Sequence, residues 1–472
     1  MAAHGNVSAP PIASHLKREL SLLPLIAVIF FNVSGGPYGI EDAVPSFGAG
    51  LTLLLLLVTP LIWSLPVAAA MAELSSALPE EGGYVVWVKR AFGPRWAFQV
   101  GWWSLVGSFA DMALYPVLFV NYLSYWFPNP APMARWSVAL AFIWVLTLLN
   151  LRGVRLVGWS AVLLGTLAFS PVVGMAVIGM GGLGKLTALP FAAEGKGFWD
   201  VLGVGLAVMM WNYSGWGNAT TCLGETRKPE STYRLALLRS FPLVVLAYLV
   251  PVAIGLGAEP NLASWKSGSL AEVGARVGGP WLSGWITFAA LLSAAGLFLS
   301  NLLTNSRLPF ILSQDHLLPR ALAMLHPRYA TPWVAILASS AVYSLLALLP
   351  FTNLVVLDVW LYSLALLVQM AAFLAIRLRE PALPRPWRVP GGLPIALLVV
   401  AVPSLLALLA IATSGLATML AGLVAALTGP LAYAVFARLG RGKSLTMAQD
   451  KSQVGGEKDW GFERSNRGKG EP

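Results

Sequence analysis

Charge is scarce in this chain: Asp, Glu, Lys and Arg make up only 11% of its 472 residues, against about a quarter in an average soluble protein. Length alone would suggest about three soluble domains, but the composition overrides that reading. Cysteine is nearly absent. The single Cys222 excludes an internal disulfide framework and a cysteine-based metal site. Histidine is equally sparse: His4, His15, His316 and His326 all fall outside the apolar runs, so a haem or zinc within those runs would find no imidazole ligand. No metal or cofactor is therefore expected. What the chain has in quantity is apolar surface, at 57% hydrophobic residues and a mean hydropathy of +0.71. Apolar stretches longer than about 18 residues recur throughout, each able to cross a bilayer core about 30 Å thick. The expected class is an all-α polytopic membrane protein.

Twelve spans are expected, near residues 21–48, 50–71, 97–126, 134–150, 156–179, 197–224, 233–257, 281–305, 331–350, 353–376, 393–413 and 416–437. The first run is not a cleavable signal peptide, because no A-x-A-type site follows it and the chain continues apolar. Segment 72–95 is too polar to span and reads as a loop with a short amphipathic or re-entrant piece. With residues 1–20 in the cytoplasm and strict alternation, 26 of the 31 Lys and Arg fall on the cytoplasmic side and 5 on the other. That asymmetry is a strong positive-inside signal. It places both termini in the cytoplasm of a multi-pass plasma (inner) membrane protein, and it accounts for the net charge of +10 without nucleic acid. The polar, Gly- and Lys-rich segment 440–472 is expected to be disordered.

Two spans are interrupted in the same way. Span 1 carries Phe31-Asn32-Val33-Ser34-Gly35-Gly36-Pro37 and span 6 carries Trp211-Asn212-Tyr213-Ser214-Gly215-Trp216-Gly217. Both read aromatic-Asn-x-Ser-Gly, and Gly and Pro at this density do not continue an α-helix. Unwound backbone at membrane depth is tolerated only where it lines a protein cavity. Span 6 lies five spans after span 1, an odd number, so the halves have opposite orientation, which is the pattern of an inverted-repeat secondary transporter. The alternative is a pair of ordinary kinks.

The motifs F-N-V-S-G-G-P-Y-G-I-E-D-A (31–43), P-E-E-G-G-Y-V-V-W-V (79–88), A-L-Y-P-V-L-F (113–119), W-N-Y-S-G-W (211–216) and L-P-R-P-W-R-V-P (383–390) resemble the amino acid–polyamine–organocation superfamily. The resemblance is strongest to its polyamine uptake and L-type amino acid permease branch, and it runs from about residue 20 to 440. It implies a LeuT-like fold with repeats over 21–179 and 197–376, two further spans over 393–437, and uptake driven by an ion gradient, usually of protons. It also predicts acids where this chain has Asn32, Gly217 and Gln369, a departure that makes the pocket less suited to a multiply charged polycation.

The broken helices offer unpaired carbonyls near Asn32 and Asn212, suited to an ammonium. They also offer unpaired N–H groups at Gly35, Gly36 and Gly39, suited to a carboxylate. Ser34, Gly35 and Gly36 are thus candidate substrate contacts. Asp111 stands alone in span 3, and an ionisable group there is functional by default, the alternative being a structural hydrogen bond. Tyr115 lies one turn on, on the same face. Glu41 follows the first break and would attract an amine, whereas an acid there also simply offsets the helix dipole. Tyr213 and Trp216 flank the second break and could stack on an ammonium or only pack. Asn212 needs a polar partner, whether ligand or helix. Glu225 and Asp358 read as gate or boundary ion pairs.

Asp111 and Glu41 are the proton-coupling candidates, with sodium, through Ser293 and Ser300, as the alternative ion. The run 179–185 mimics G-x-x-x-x-G-K, but Leu186 replaces the magnesium-holding hydroxyl and a span precedes it in place of a strand, so no nucleotide is expected. The sequence thus points to a secondary transporter, not an enzyme, that imports small cationic amines such as putrescine or spermidine by alternating access. The rivals are a neutral or cationic amino acid permease of the same superfamily and a transporter-like nutrient sensor.

Overall fold

The computed structural model describes residues 16–455 apart from 129, 180, 182–185, 187, 194, 196, 260, 267 and 349–350. The lookalike at 179–185 thus lies largely outside the described residues. Helices run in chain order as α1 (Leu22–Val33), α2 (Ala43–Phe47), α3 (Ala49–Thr59), α4 (Leu65–Ala77), α5 (Tyr84–Phe92), α6 (Pro94–Leu123), α7 (Pro132–Leu151), α8 (Val154–Gly179) and α9 (Phe198–Asn212). They continue as α10 (Pro229–Ala258), α11 (Ser269–Gly278), α12 (Pro280–Asn305), α13 (Arg307–Gln314), α14 (Trp333–Leu346), α15 (Phe351–Arg379), α16 (Gly392–Thr413) and α17 (Leu416–Gly455). Among the described residues no strand forms; an isolated bridge pairs Leu20 with Thr226.

Among the described residues nine helical stretches are long and apolar enough to cross a membrane, and three shorter apolar helices accompany them. Two of the three, α1 and α9, are those cut short by the sequence breaks. The protein is therefore an all-α, multi-pass membrane protein with about twelve crossings. Large apolar side chains such as Leu148, Leu163, Val177, Leu405 and Leu423 stand exposed around the helices, as they must where lipid replaces water as the solvent. Span 2 is longer than its apolar run: α3 passes through a π-helical turn at Pro60–Ser64 into α4, which ends at Ala77. The polar residues Glu73, Ser75 and Ser76 at its end are all buried. α17 runs on to Gly455, into the first part of the segment 440–472. Arg-Gly-Lys-Ser-Leu-Thr-Met-Ala-Gln-Asp (441–450) has no proline to stop it, and residues 456–472 lie outside the described residues.

α6 lies at the centre, packed on α12, α15, α5 and α14, while α1 packs on α10, α8 and α12. One end of the assembly is basic and heavily tied. Leu20 bridges Thr226, Lys17 Nζ donates to the Arg328 carbonyl (2.8 Å), Lys89 pairs with Asp315 (2.6 Å) and Arg90 forks onto Glu380. Here the α15–α16 loop folds back on α4: the Glu73 carboxylate accepts from Arg377 Nη1 (2.5 Å) and from Val389 N (2.8 Å). At the opposite end Arg276 pairs with Glu259, and the segment at 190–193 hydrogen-bonds the backbone of Phe47, Gly50 and Leu51.

Candidate substrate site

The first break begins at Ser34, whose extended backbone (φ −151°, ψ 136°) ends α1. Gly36 and Gly39 then take positive φ of 104° and 90°, which only glycine adopts freely. Two of the three N–H groups expected to await a carboxylate are spent within the chain: Gly36 N donates to Ser34 Oγ (3.1 Å) and Gly39 N to Glu41 Oε2 (2.7 Å). Glu41 Oε1 accepts from Gly268 N (3.3 Å). Both oxygens of Glu41 therefore satisfy backbone donors, and Glu41 does not line the cavity described below. The Gly35 carbonyl accepts from Ser293 Oγ on α12, so one serine singled out for a sodium site is tied to the break, while Ser300 Oγ is buried without a partner among the described residues.

The second break follows α9 at Tyr213 and turns through Gly215 (φ 103°) into a 3-10 stretch, Asn218–Glu225. Its carbonyls are capped by hydroxyls and an indole. Tyr248 OH donates to Asn212 O (3.1 Å), Ser64 Oγ to Tyr213 O (3.0 Å), Trp216 Nε1 to Tyr213 O (2.9 Å) and Tyr233 OH to Trp216 O (2.7 Å). The two breaks touch where Gly215 meets the Asn32 carbonyl: a methyl group built on Gly215 would lie 2.9 Å from that carbonyl carbon and closer still to its oxygen.

A cavity of about 140 Å³ opens at this crossing. It is lined by Asn32 to Gly35 of the first break, by Asn212, Ser214, Gly215 and Gly217 of the second, and by Asp111 and Tyr115 of α6. It is elongated. On α6 it runs from Trp103 to Leu118, about 22 Å at 1.5 Å per residue. No lysine, arginine or histidine occurs among its described lining residues. Tyr115 OH donates to Asp111 Oδ2 at 2.6 Å, and Asn301 Nδ2 reaches both Tyr115 OH (3.5 Å) and the Phe31 carbonyl (3.3 Å). A chain of hydrogen bonds thus ties the acid to the first break. Asn212 faces the cavity, with Nδ2 bonded back to Val208 O (2.9 Å).

The site differs from the sequence expectation at several positions. Gly36 is outside the lining, its positive φ turning the chain away. Tyr213 is fully buried with its hydroxyl on Leu56 O (3.0 Å), and Trp216 packs against Phe241, so neither aromatic reaches the cavity. Asp358, expected at a boundary ion pair, lines the cavity instead, because α15 begins at Phe351 and carries it two turns inward. Its Oδ2 accepts from Trp211 Nε1 at 3.3 Å. Sequence reasoning passed over Trp211, Trp63, Tyr84, Tyr248 and Tyr362, all of which line the cavity. Asn32, Gly217 and Gln369, where acids were expected from the resemblance, also line it.

Glu225 does form an ion pair, with Arg307 and not with its neighbours Arg227 or Lys228. Arg307 Nε and Nη2 bond the two carboxylate oxygens at 2.8 and 2.9 Å, and both side chains are buried. Glu81 joins this knot at the basic end, accepting from Gly224 N (2.8 Å). Burial, and next to it the charge of Glu225, hold the Glu81 carboxyl well above its ordinary value of 4.5, against the opposing pull of Arg307.

Residues 20–439 match the protein family described as amino acid permease. A probable polyamine transporter of Arabidopsis thaliana is 40% identical over 396 residues, covering 81% of this chain and 82% of that protein. The polyamine transporter PUT1 of Oryza sativa subsp. japonica is 38% identical over 86% of this chain and 77% of its own length. The polyamine transporter RMV1 of Arabidopsis thaliana is 36% identical over 82% and 79%.

Proposed function

The chain belongs to the amino acid permease family, and from that premise we propose that it imports small cationic amines, such as putrescine or spermidine, as a proton-coupled secondary transporter of the plasma membrane. The observation that carries the reading is the cavity itself: Asp111 lines it at the crossing of two helix breaks, and no described lining residue is basic. A buried carboxylate without a cation is costly, and an ammonium ligand offsets that cost. The break chemistry points the same way. An α-amino acid needs free N–H donors for its carboxylate, whereas two of the three candidates, Gly36 N and Gly39 N, are already bonded to Ser34 and Glu41. The names of the relatives, polyamine transporters from two plants, support the same substrate class.

In this mechanism the basic end faces the cytoplasm, with both termini there. The amine enters from the opposite end, loses its water against Asp111, Tyr115 and the aromatic lining, and is held while α1, α3–α4, α9 and α10 rock against α6, α7, α12 and α14. Opening then requires the Glu225–Arg307 knot at the cytoplasmic end to part. Asp111 is the group placed to carry the coupled proton when no amine is bound; Glu41, with both oxygens on backbone N–H groups, is not.

An amino acid permease is the second reading, favoured by the neutral Asn32, Gly217 and Gln369 in the lining. Uptake of labelled putrescine, spermidine, arginine and leucine into proteoliposomes, with and without an imposed pH gradient, separates the two. Amine uptake that rises with an inward proton gradient is expected. Leucine uptake that no amine competes with would overturn the proposal.

A further inference from the structure

Asp111 is not the only acid in the cavity. Asp358, on α15, lines the same space, and its Oδ1 lies 3.3 Å from where a methyl group on Gly107 would stand. Asp111 is one helical turn beyond Gly107 on the same face of α6, so the two carboxylates are neighbours. Oδ2 of Asp358 is fixed by Trp211 Nε1 (3.3 Å), from the last turn before the second break. Asn32 adds a polar side chain to the lining independently of the acids. It is 7% exposed, with Nδ2 bonded to Thr304 Oγ1 (3.2 Å) and Oδ1 without a donor among the described residues.

We propose that Asp111 and Asp358 together make the site divalent, so that it selects amines carrying two cationic groups over amines carrying one, with Asp358 reading the second charge. This rests on the cationic-amine reading and extends it to the number of charges. A monocation leaves one of the two desolvated carboxylates uncompensated and forgoes the attraction that a second charge would gain. A dication compensates both. Trp211, by bonding one oxygen of Asp358, leaves the other turned toward α6 and the cavity.

The test compares putrescine with n-butylamine, which has the same carbon count and one charge. Binding of both is measured by competition on the purified full-length protein in lipid nanodiscs. Wild type should prefer putrescine by about 10- to 100-fold, the range expected for one close, partly desolvated charge pair. Asp358→Asn should lower putrescine affinity by about tenfold or more while leaving butylamine affinity within about twofold, and Asp358→Glu should restore the preference. Equal loss of both amines in Asp358→Asn would overturn the proposal, as would equal affinity for both in wild type, which needs no variant to fold. A wild-type protein that binds neither amine would instead remove the cationic-amine reading beneath it.

Discussion

The crossing of the two breaks can be tested through three glycines that differ in one respect each. Gly215 has φ 103° and abuts the Asn32 backbone, Gly39 has φ 90° with nothing within 4 Å, and Gly217 has ordinary φ (−87°) with its nearest neighbours at 3.4 and 3.5 Å. Gly39→Ala should therefore pay only for left-handed backbone, about 1–2 kcal/mol. Gly217→Ala should leave stability close to wild type, since those distances are normal van der Waals contact. Gly215→Ala pays the backbone cost and must also push the two chains apart by about 1 Å, which in a close-packed interior adds about 1–3 kcal/mol. Its total is about 2–5 kcal/mol. The displacement falls on Asn32, so the cavity should deform and amine uptake should fall at least about tenfold, the equivalent of about 1.4 kcal/mol in binding. Thermal unfolding in nanodiscs ranks the three variants, and proteoliposome uptake measures the cavity. A Gly215→Ala protein no less stable than Gly39→Ala, with normal uptake, would refute the direct contact between the breaks.

Other consequences are more local. Arg307→Met should destabilise the protein by about 3–5 kcal/mol by stranding the buried Glu225, and the double variant with Glu225→Gln should recover part of that in denaturation experiments. Arg90→Ala, at a pair whose side chains are 41% and 32% exposed, should cost no more than about 1 kcal/mol by the same measurement. Because Glu81 is held above its ordinary value, the closed knot is favoured while Glu81 keeps its proton and loses that support as pH rises through the raised value. Thiol labelling of the buried Cys222, taken as the ratio of wild type to Glu81→Gln, should increase with pH, and a flat ratio would contradict this. Asp111→Asn should weaken amine binding by at least about tenfold, and Tyr115→Phe, which removes one 2.6 Å hydrogen bond to Asp111, by less; unchanged competition curves for Asp111→Asn would exclude it from the site.

The helices and their interruptions were legible because both are one-dimensional signals. Apolar runs became the long helices, and the glycines after Asn32 and Asn212 ended α1 and α9 at Val33 and Asn212. Which side chains face the cavity was less legible. Helical periodicity does not carry across a break: the chain turns at Gly215 and resumes as a 3-10 helix, so Trp216 rotates into the protein and Trp211, before the break, faces the cavity. Glu41 was drawn away by Gly268, 227 residues distant, and Glu225 chose Arg307, 82 residues away, over two nearer basic residues. Pairings of that range leave no local trace. Asp358 was misplaced for a simpler reason, since the sequence does not reveal how far into the assembly α15 carries it.

A broken helix presents both signs of partial charge, so two breaks alone do not decide between a zwitterion and a cation. In this protein the decision falls to side chains. Ser34 and Glu41 consume N–H groups of the first break, and Tyr362 OH accepts from Gly215 N (3.0 Å) in the second. Tyr248, Ser64 and Tyr233 cap carbonyls of the second break. With much of the backbone polarity met internally, the cavity's formal charge comes from α6 and α15, where Asp111 and Asp358 stand. Those helices pack directly on each other, which holds the acids in fixed register. On the proposed reading these few polar side chains bias the site toward amines, and substitutions at Asp111 and Asp358 should alter selectivity more than fold.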